Sequence, residues 1–300
     1  MRLETSLLNG IPVRDSVFAE LKTKVKQQLL GGGRRPGLAV LLIGDDAASA
    51  VYVKHKTKGC EEVGFYHETH IMPADVAESE VLDLVIRLNA EPKIDGILIQ
   101  LPLPGRLNQE LILAAVLPEK DVDGFHPFNL GKLVAGVPTF VPCTPKGVLR
   151  LLKFYGISLA GRSVAVVGRS LIVGRPLSLL MSLKGEFANA TVTMCHSGTK
   201  DLSRVTREAD IVVVAVGVPK MIGAADVKKG AVVIDVGINR IDAPERKSGT
   251  RLVGDVDFES LQGHASAVTP VPGGIGPMTI AMLLENTWEA MLKREECGRG

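Results

Sequence analysis

Paired cysteines, net charge and long apolar runs are all missing or scarce in this chain. Cys60, Cys143, Cys195 and Cys297 lie far apart and form no CxxC pair, so the expectation is scattered reduced thiols in a cytoplasmic protein. The six histidines show no ligand spacing with cysteines or carboxylates, and no metal site is expected. The formal net charge is +2, too small to indicate a nucleic-acid or membrane surface. No apolar run reaches the roughly 18 residues that a membrane helix needs. The opening "MRLETSLLNGIPVRDS" carries no apolar signal-peptide core. There is no repeat at fixed period and no low-complexity tract.

What is present is an ordinary globular composition, 46% hydrophobic and 23% charged over 300 residues, enough for two domains. Residues 14–30 place Val17, Leu21, Val25 and Leu29 at i+4 spacing, which predicts a helix ended by Gly31-Gly32-Gly33. "GLAVLLIG" (37–44) is a continuous apolar run, as in a strand covered on both faces. A helix through about Glu62, a strand "GFYHETHIM", a helix over 77–90 and a strand "DGILIQ" (95–100) complete a βαβαβ pattern and predict a parallel sheet. The segment 118–146, rich in Pro and Gly, reads as an ordered connection carrying site residues. A helix "PKGVLRLLKFYG" then opens a second alternating set with strands at 163–168, 190–195, 210–217 and 231–237. A last helix follows Pro277, a residue suited to a helix's first turn. The fold class is therefore α/β in two domains, an N-terminal parallel α/β domain and a Rossmann-type doubly wound domain. The expected division is 1–143 plus 276–300 and 144–275.

In the second domain, "VAVVGRSLIVGRP" is a strand, a glycine, a turn, and a second glycine opening a helix. Gly168 and Gly174 are six apart, but the middle glycine of GxGxxG is replaced by Arg169-Ser170, so the motif alone is weak. The next strand ends in "CHSGTK", without the acid that usually holds the ribose 2′-OH of NAD. A carboxylate there would repel a 2′-phosphate, whereas Arg169, Ser197 and Lys200 would accept one, so NADP is expected. His196 and Ser197 also fit as ordinary loop residues. Gly237 and Ile238 in "DVGINR" stand at a later strand end, where a nicotinamide could lie, although a simple turn accounts for that glycine equally well.

"YVKHKTK" (52–58) holds three lysines. At about 100° per residue, Ser49, Val53, Lys56, Cys60 and Val63 share one side of a helix with Tyr52, while Lys54 and Lys58 face the other way. An inward Lys56 loses solvation, which favours its neutral form and makes it a usable acid or base near neutral pH. An amine snorkelling out of the stripe fits the same spacing. Gln100 ends a strand at the edge where open α/β sheets bind ligands. Asp123 sits in the turn-prone "KDVDGFHP" and reads either as a site carboxylate or as an Asx-turn acid.

Taken together, "YVKHKTK", "DGILIQLPLP", "KDVDGFHP…PCTPKG" and "VVGRSLIVG…VTPVPGGIGPMT" are specific as an ordered set. The chain resembles the bifunctional methylenetetrahydrofolate dehydrogenase/methenyltetrahydrofolate cyclohydrolase family from about residue 5 to 293. Arg175 and the extended "SLKGEFANA" are the ordinary departures. The resemblance implies NADP-dependent oxidation of 5,10-methylenetetrahydrofolate followed by hydrolysis to 10-formyltetrahydrofolate. It implies Lys56 as cyclohydrolase acid/base, Gln100 as its partner, Asp123 on the pterin edge and Tyr52 against the benzoyl ring. Ser49, Leu101, Pro272, Gly273 and Gly274 join the folate set, and Gly168, Arg169, Ser170, Ser197 and Ile238 join the NADP set. It also implies a homodimer through the cofactor domain and a last helix that returns to the first domain. Two other readings are a two-domain NADP dehydrogenase of the amino-acid or shikimate type and a non-enzymatic folate or NADP sensor. Neither calls for the Tyr52-Lys56-Gln100-Asp123 set together with catalysis.

Overall fold

The structure, a computed structural model, describes residues 4–185, 187–244 and 249–297. The chain opens with β1 (Ser6–Leu7), α1 (Gly10–Leu30), β2 (Gly37–Ile43), α2 (Ala47–Val63), β3 (Tyr66–Met72), α3 (Glu78–Ala90) and β4 (Gly96–Ile99). Next come α4 (Gln109–Ala115), α5 (Pro127–Val134), α6 (Cys143–Phe154), β5 (Ser163–Val167), α7 (Gly174–Ser182), β6 (Thr191–Cys195), α8 (Leu202–Glu208) and β7 (Ile211–Val214). After a 3₁₀ turn (Ala224–Asp226) follow β8 (Val232–Asp235), β9 (Asn239–Asp242), β10 (Thr250–Val253), α9 (Phe258–Leu261), β11 (Ala267–Val268) and α10 (Ile275–Cys297). These elements form two compact units: residues 15–143 with 280–300, and residues 1–14 with 144–279.

The first unit is built on a three-stranded parallel sheet in the order β3-β2-β4. All seven residues of β2 are buried, because this middle strand is covered on both faces, as its unbroken apolar run predicts. The edge strand β3 has mixed exposure. Val81, Leu84, Val85 and Leu88 of α3 bury one stripe against Ala39, Leu41, Ile97 and Ile99 of the sheet. Burying each such large side chain contributes about 1.5–3 kcal/mol.

The body of α10 belongs to this unit and is tied to it by polar contacts. Asp95, fully buried, accepts both forks of Arg34 at 2.6 and 2.7 Å, Arg294 at 2.7 Å and the Gly37 N–H at 3.0 Å. The Asn286 amide donates to the carbonyls of Val122 (2.8 Å) and Val141 (3.1 Å). The C-terminal helix thus returns to the first unit, as expected.

The second unit carries a six-stranded parallel sheet in the order β1-β11-β8-β7-β5-β6 and a separate antiparallel hairpin β9-β10. Its central strands β5, β7 and β8 are almost wholly buried, the mark of a doubly wound sheet with helices on both faces. The expected division differs at its ends. Ser6 and Leu7 pair with Ala267 and Val268, which draws the first residues into the second unit. A two-residue strand carries too little pattern to announce itself, and its backbone bonds to an open sheet edge decide the matter. Residues 276–279, expected in the first unit, also group with the second.

Candidate active site

Helix α2 is started by Asp46, whose side chain accepts from the Ser49 N–H, and ended by Gly64 in a left-handed conformation at φ 84°. Its buried residues are Ser49, Val53, Lys56, Gly59, Cys60 and Val63, the stripe predicted from the helical period. Lys54 and Lys58 are exposed, and Tyr52 is half-buried at the edge of the stripe. Burial raises the Tyr52 hydroxyl above its usual pKa. Gly59 packs under Ile280 and Leu284 of α10, where a Cβ would stand 3.2–3.3 Å from their methyls.

Lys56 is 7% exposed, and its amine does not snorkel out. Nζ donates to Gln100 Oε1 at 2.8 Å, and Gln100 Nε2 donates to the Leu101 carbonyl at 2.7 Å. That second bond turns the amide so that its oxygen, not its nitrogen, meets the lysine. Burial pushes the Lys56 pKa down, and the negative charge of Asp123 partly offsets this. A buried amine held by a neutral acceptor is therefore poised to lose its proton more readily than a surface lysine.

Asp121, not Asp123, is the turn acid. Its carboxylate accepts the N–H groups of Gly124, Phe125 and His126 and the Asn129 amide, at 2.8–3.1 Å. Gly124 sits at φ +77°, and a Cβ there would lie 2.6 Å from Pro142 N. The loop is thus fixed without help from Asp123, whose carboxyl is left to act on Lys56. Burial raises the Asp123 pKa, the lysine charge lowers it, Asp121 raises it, and a hydrogen bond with Cys143 lowers it. Ser49, Tyr52, Lys56, Gln100, Leu101 and Asp123 all belong to the first unit.

The second unit carries the remaining expected residues. β5 and β6 pair in parallel with Val167 opposite Cys195, and the Gly168 N–H donates to the Cys195 carbonyl at 2.9 Å. The chain leaves both strand ends side by side, so Arg169-Ser170 and His196-Ser197 emerge as neighbours. Gly168 has φ +128°, and a Cβ would stand 2.3 Å from the Ala215 carbonyl oxygen. Gly174, at the start of α7, would drive a Cβ to 2.1 Å from the Gly168 oxygen. Both glycines are therefore required for the close turn. The Ser170 hydroxyl accepts from the Val173 N–H at 3.1 Å, shaping that turn. Arg169 and Ser197 are exposed, and no carboxylate stands at the end of β6. These strand ends fit a cofactor bearing a 2′-phosphate.

Ile238, exposed, lies over Gly276 at the start of α10, within 3.7 Å of where a Cβ there would be. Pro272, Gly273 and Gly274 precede that helix in the same unit, with Gly273 at φ +105°. Gly10 and Gly274 touch through their backbones, since a Cβ on Gly10 would be 1.9 Å from the Gly274 oxygen.

Sequence reasoning missed Cys143 beside Asp123, for which no local signal exists. It also missed the role of Asp121, although an acid two residues before "DG" in "KDVDG" was a fair cue. Among the described residues no group of His, Cys, Asp or Glu could hold a metal ion. Cys60, Cys143 and Cys195 are buried and joined in no disulfide, while the Cys297 side chain lies outside the described residues.

Comparison with known proteins gives the chain's family. Residues 8–123 match the family described as tetrahydrofolate dehydrogenase/cyclohydrolase, catalytic domain, and residues 142–295 match its NAD(P)-binding domain. The chain is 51% identical over 98% of its length to the bifunctional protein FolD 2 of Geobacter metallireducens, covering 100% of that protein. The crystal structure of the bifunctional FolD enzyme of Campylobacter jejuni is 45% identical, with a TM-score of 0.90 over 97% of this chain and 99% of that one. The FolD enzyme of Trypanosoma brucei, solved with NADP cofactor and an inhibitor, is 38% identical, with a TM-score of 0.92 over 97% of this chain and 98% of that one. By the match of both domains and of near full-length relatives, the chain belongs to the tetrahydrofolate dehydrogenase/cyclohydrolase family.

Proposed function

We propose that the chain carries out two successive reactions on one folate: NADP-dependent oxidation of 5,10-methylenetetrahydrofolate to the 5,10-methenyl cation, then hydrolysis to 10-formyltetrahydrofolate. The observation that carries this reading is the buried Lys56 amine bonded to the neutral Gln100 and lying in the field of Asp123. NADP, when bound, takes the hydride from the methylene carbon. That carbon lies between two nitrogens whose lone pairs stabilise the cation, so the step needs placement more than a strong base. Arg169, Ser170 and Ser197, with Gly168 permitting close approach, hold the phosphate and ribose end, and Ile238 lines the nicotinamide end.

Hydration does require proton transfer. Neutral Lys56 removes one proton from the water as its oxygen bonds to the methenyl carbon and passes that proton to N5 as the C–N5 bond breaks, while the second proton leaves the new hydroxyl for solvent as the formyl C=O forms. Gln100 keeps the amine aimed without adding the negative charge that a carboxylate partner would bring, and burial favours the neutral form. The Asp123 carboxylate accepts two donors from the amino-pyrimidinone edge of the pterin. Tyr52 packs on the benzoyl ring, and Ser49, Leu101, Pro272, Gly273 and Gly274 complete the folate set.

The finer context is part of the same proposal. The protein works as a homodimer through the cofactor domain, in the cytoplasm, without nucleic-acid or membrane partners. It supplies formyl groups to one-carbon metabolism, including purine biosynthesis. Three buried cysteines outside any disulfide suit a reducing compartment, and among the described residues no helix is long and apolar enough to cross a membrane. The test is one coupled assay with methylenetetrahydrofolate and NADP that follows NADPH, methenyl and formyl products together. NADPH formation followed by formyl product supports the proposal, and a chain that forms neither refutes it.

A further inference from the structure

Two buried carboxylates outside the set described above sit at the carboxyl end of the second unit's sheet. Asp235 closes β8, and Asp255 follows β10, so the two lie at the stem of the segment that contains the β9-β10 hairpin. They are 3% and 0% exposed. Each is packed directly on the backbone of a glycine from the other's strand. A Cβ on Gly237 would stand 2.2 Å from Asp255 Cγ, and a Cβ on Gly254 would stand 1.7 Å from Asp235 Oδ2.

The hydrogen bonds are equally reciprocal. Asp235 Oδ1 accepts the N–H groups of Gly237 (3.0 Å) and Asp255 (2.9 Å), and its Oδ2 accepts that of Val256 (3.0 Å). Asp255 Oδ2 accepts the N–H groups of Val216 (2.6 Å) and Gly217 (2.9 Å), and its Oδ1 accepts the Asn239 amide (2.8 Å). The Asp235 N–H donates to Thr269 Oγ1 at 2.7 Å, and Thr269 immediately precedes the Pro270–Gly274 loop. The two carboxylates therefore tie together the turn after β7, the Gly237–Asn239 segment after β8, and the Asp255-Val256 segment after β10. Neighbouring strands β7 and β8 end at this edge, where doubly wound sheets place their ligands. Burial and mutual repulsion make such a pair unfavourable unless backbone donors compensate, and burial with the Asp255 charge pushes the Asp235 carboxyl up to about 7.

We propose that Asp235 and Asp255 are positioning residues for the dehydrogenase step, a reciprocal carboxylate–glycine clasp that sets where Ile238 and the Val216-Gly217 turn stand and so where the nicotinamide end of the cofactor is held. Neither carboxylate touches the reacting atoms; each acts through backbone it fixes. This rests on the dehydrogenase reading above. Asp255 has only acceptors facing three N–H donors, so an asparagine there must turn its own NH₂ toward one of them.

The test compares wild type, Asp255→Asn and the milder Asn239→Ala. It measures kcat and KM for NADP, NADP affinity by direct titration without folate, hydrolysis of methenyltetrahydrofolate without NADP, and thermal unfolding. Asp255→Asn is expected to weaken NADP at least about tenfold in KM and in direct binding while leaving the hydrolysis rate within about twofold, since Lys56 lies in the other unit. Asn239→Ala is expected to move the same constants in the same direction by a smaller factor. Unchanged NADP constants in folded variants would overturn the proposal, as would parallel loss of both activities. If Asp255→Asn fails to fold, Asn239→Ala decides alone. A wild type that binds NADP but does not reduce it would sink the functional reading instead, and direct binding would still judge the clasp.

Discussion

Replacing Lys56 with Met separates the two proposed activities. Met has nearly the length of lysine's stem and fills the same channel without an amine. General acid–base assistance is typically worth about 10²–10⁴ in rate, or about 3–5 kcal/mol of barrier, and the hydrolysis of methenyltetrahydrofolate should fall by that factor. Stability should change little. Gln100 Oε1 loses its donor, which costs about 1–3 kcal/mol for a buried acceptor, while the molecule no longer desolvates an amine that burial disfavours. The two effects oppose each other, so the melting temperature should move by only a few degrees. NADPH formation should survive, because the oxidised carbon is stabilised by its own two nitrogens. The assay is disappearance of added methenyltetrahydrofolate, with the uncatalysed rate subtracted, beside NADPH formation from methylenetetrahydrofolate. Hydrolysis within about threefold of wild type in a folded Lys56→Met protein would refute the role given to that amine. Loss of both reactions with normal folate binding would show that Lys56 serves the hydride step as well.

Other outcomes follow from particular contacts. Arg169→Ala combined with Ser197→Asp should lower kcat/KM for NADP at least about tenfold and narrow or reverse its preference over NAD, since a carboxylate repels the 2′-phosphate. An unchanged NADP/NAD ratio would remove those residues from the cofactor site. Asp95→Ala leaves Arg34 and Arg294 facing an empty buried acceptor site and should cost about 2–4 kcal/mol in denaturant unfolding, the range being tempered by the solvent access of both arginines. Lys120 is buried with Nζ donating to the Leu88 and Glu91 carbonyls at 2.9 Å, and burial, helped by Arg294, lowers its pKa to about 8. The native state then binds fewer protons than the unfolded state between about pH 8 and lysine's ordinary value near 10.5, so this group raises stability as pH climbs through that window. Unfolding of wild type and Lys120→Met across that range should show a more positive slope in wild type, and equal slopes would refute this role for Lys120.

Much of both units could be read from periodicity. The α2 stripe needed only the helical repeat, and the buried strands β2, β5, β7 and β8 needed only unbroken apolar runs. The short strands β1, β9, β10 and β11 escaped because two to four partly exposed residues carry no resolvable period. Helix α5 escaped inside a segment read as a connection, though His126 and Pro127 form its start: the His126 ring accepts the Phe128 N–H at 3.0 Å, and the proline takes the first turn. The choice between Asp121 and Asp123 as turn acid was open for a similar reason. Both flank the same turn, and only the backbone geometry shows which carboxylate the N–H groups reach.

The sequence by itself determined the alternation of the long buried strands with helices, the doubly wound second unit and the inward direction of Lys56, because these follow from spacing along one chain. Only the tertiary structure decided that the Lys56 amine stays inside and meets the oxygen of Gln100, that Asp123 is spared from turn duty, that the first strand joins the second unit's sheet, and that Asp235 and Asp255 interlock. Each of these depends on groups distant in sequence competing for the same few hydrogen-bond donors and acceptors, and that competition is settled only when the chain has packed.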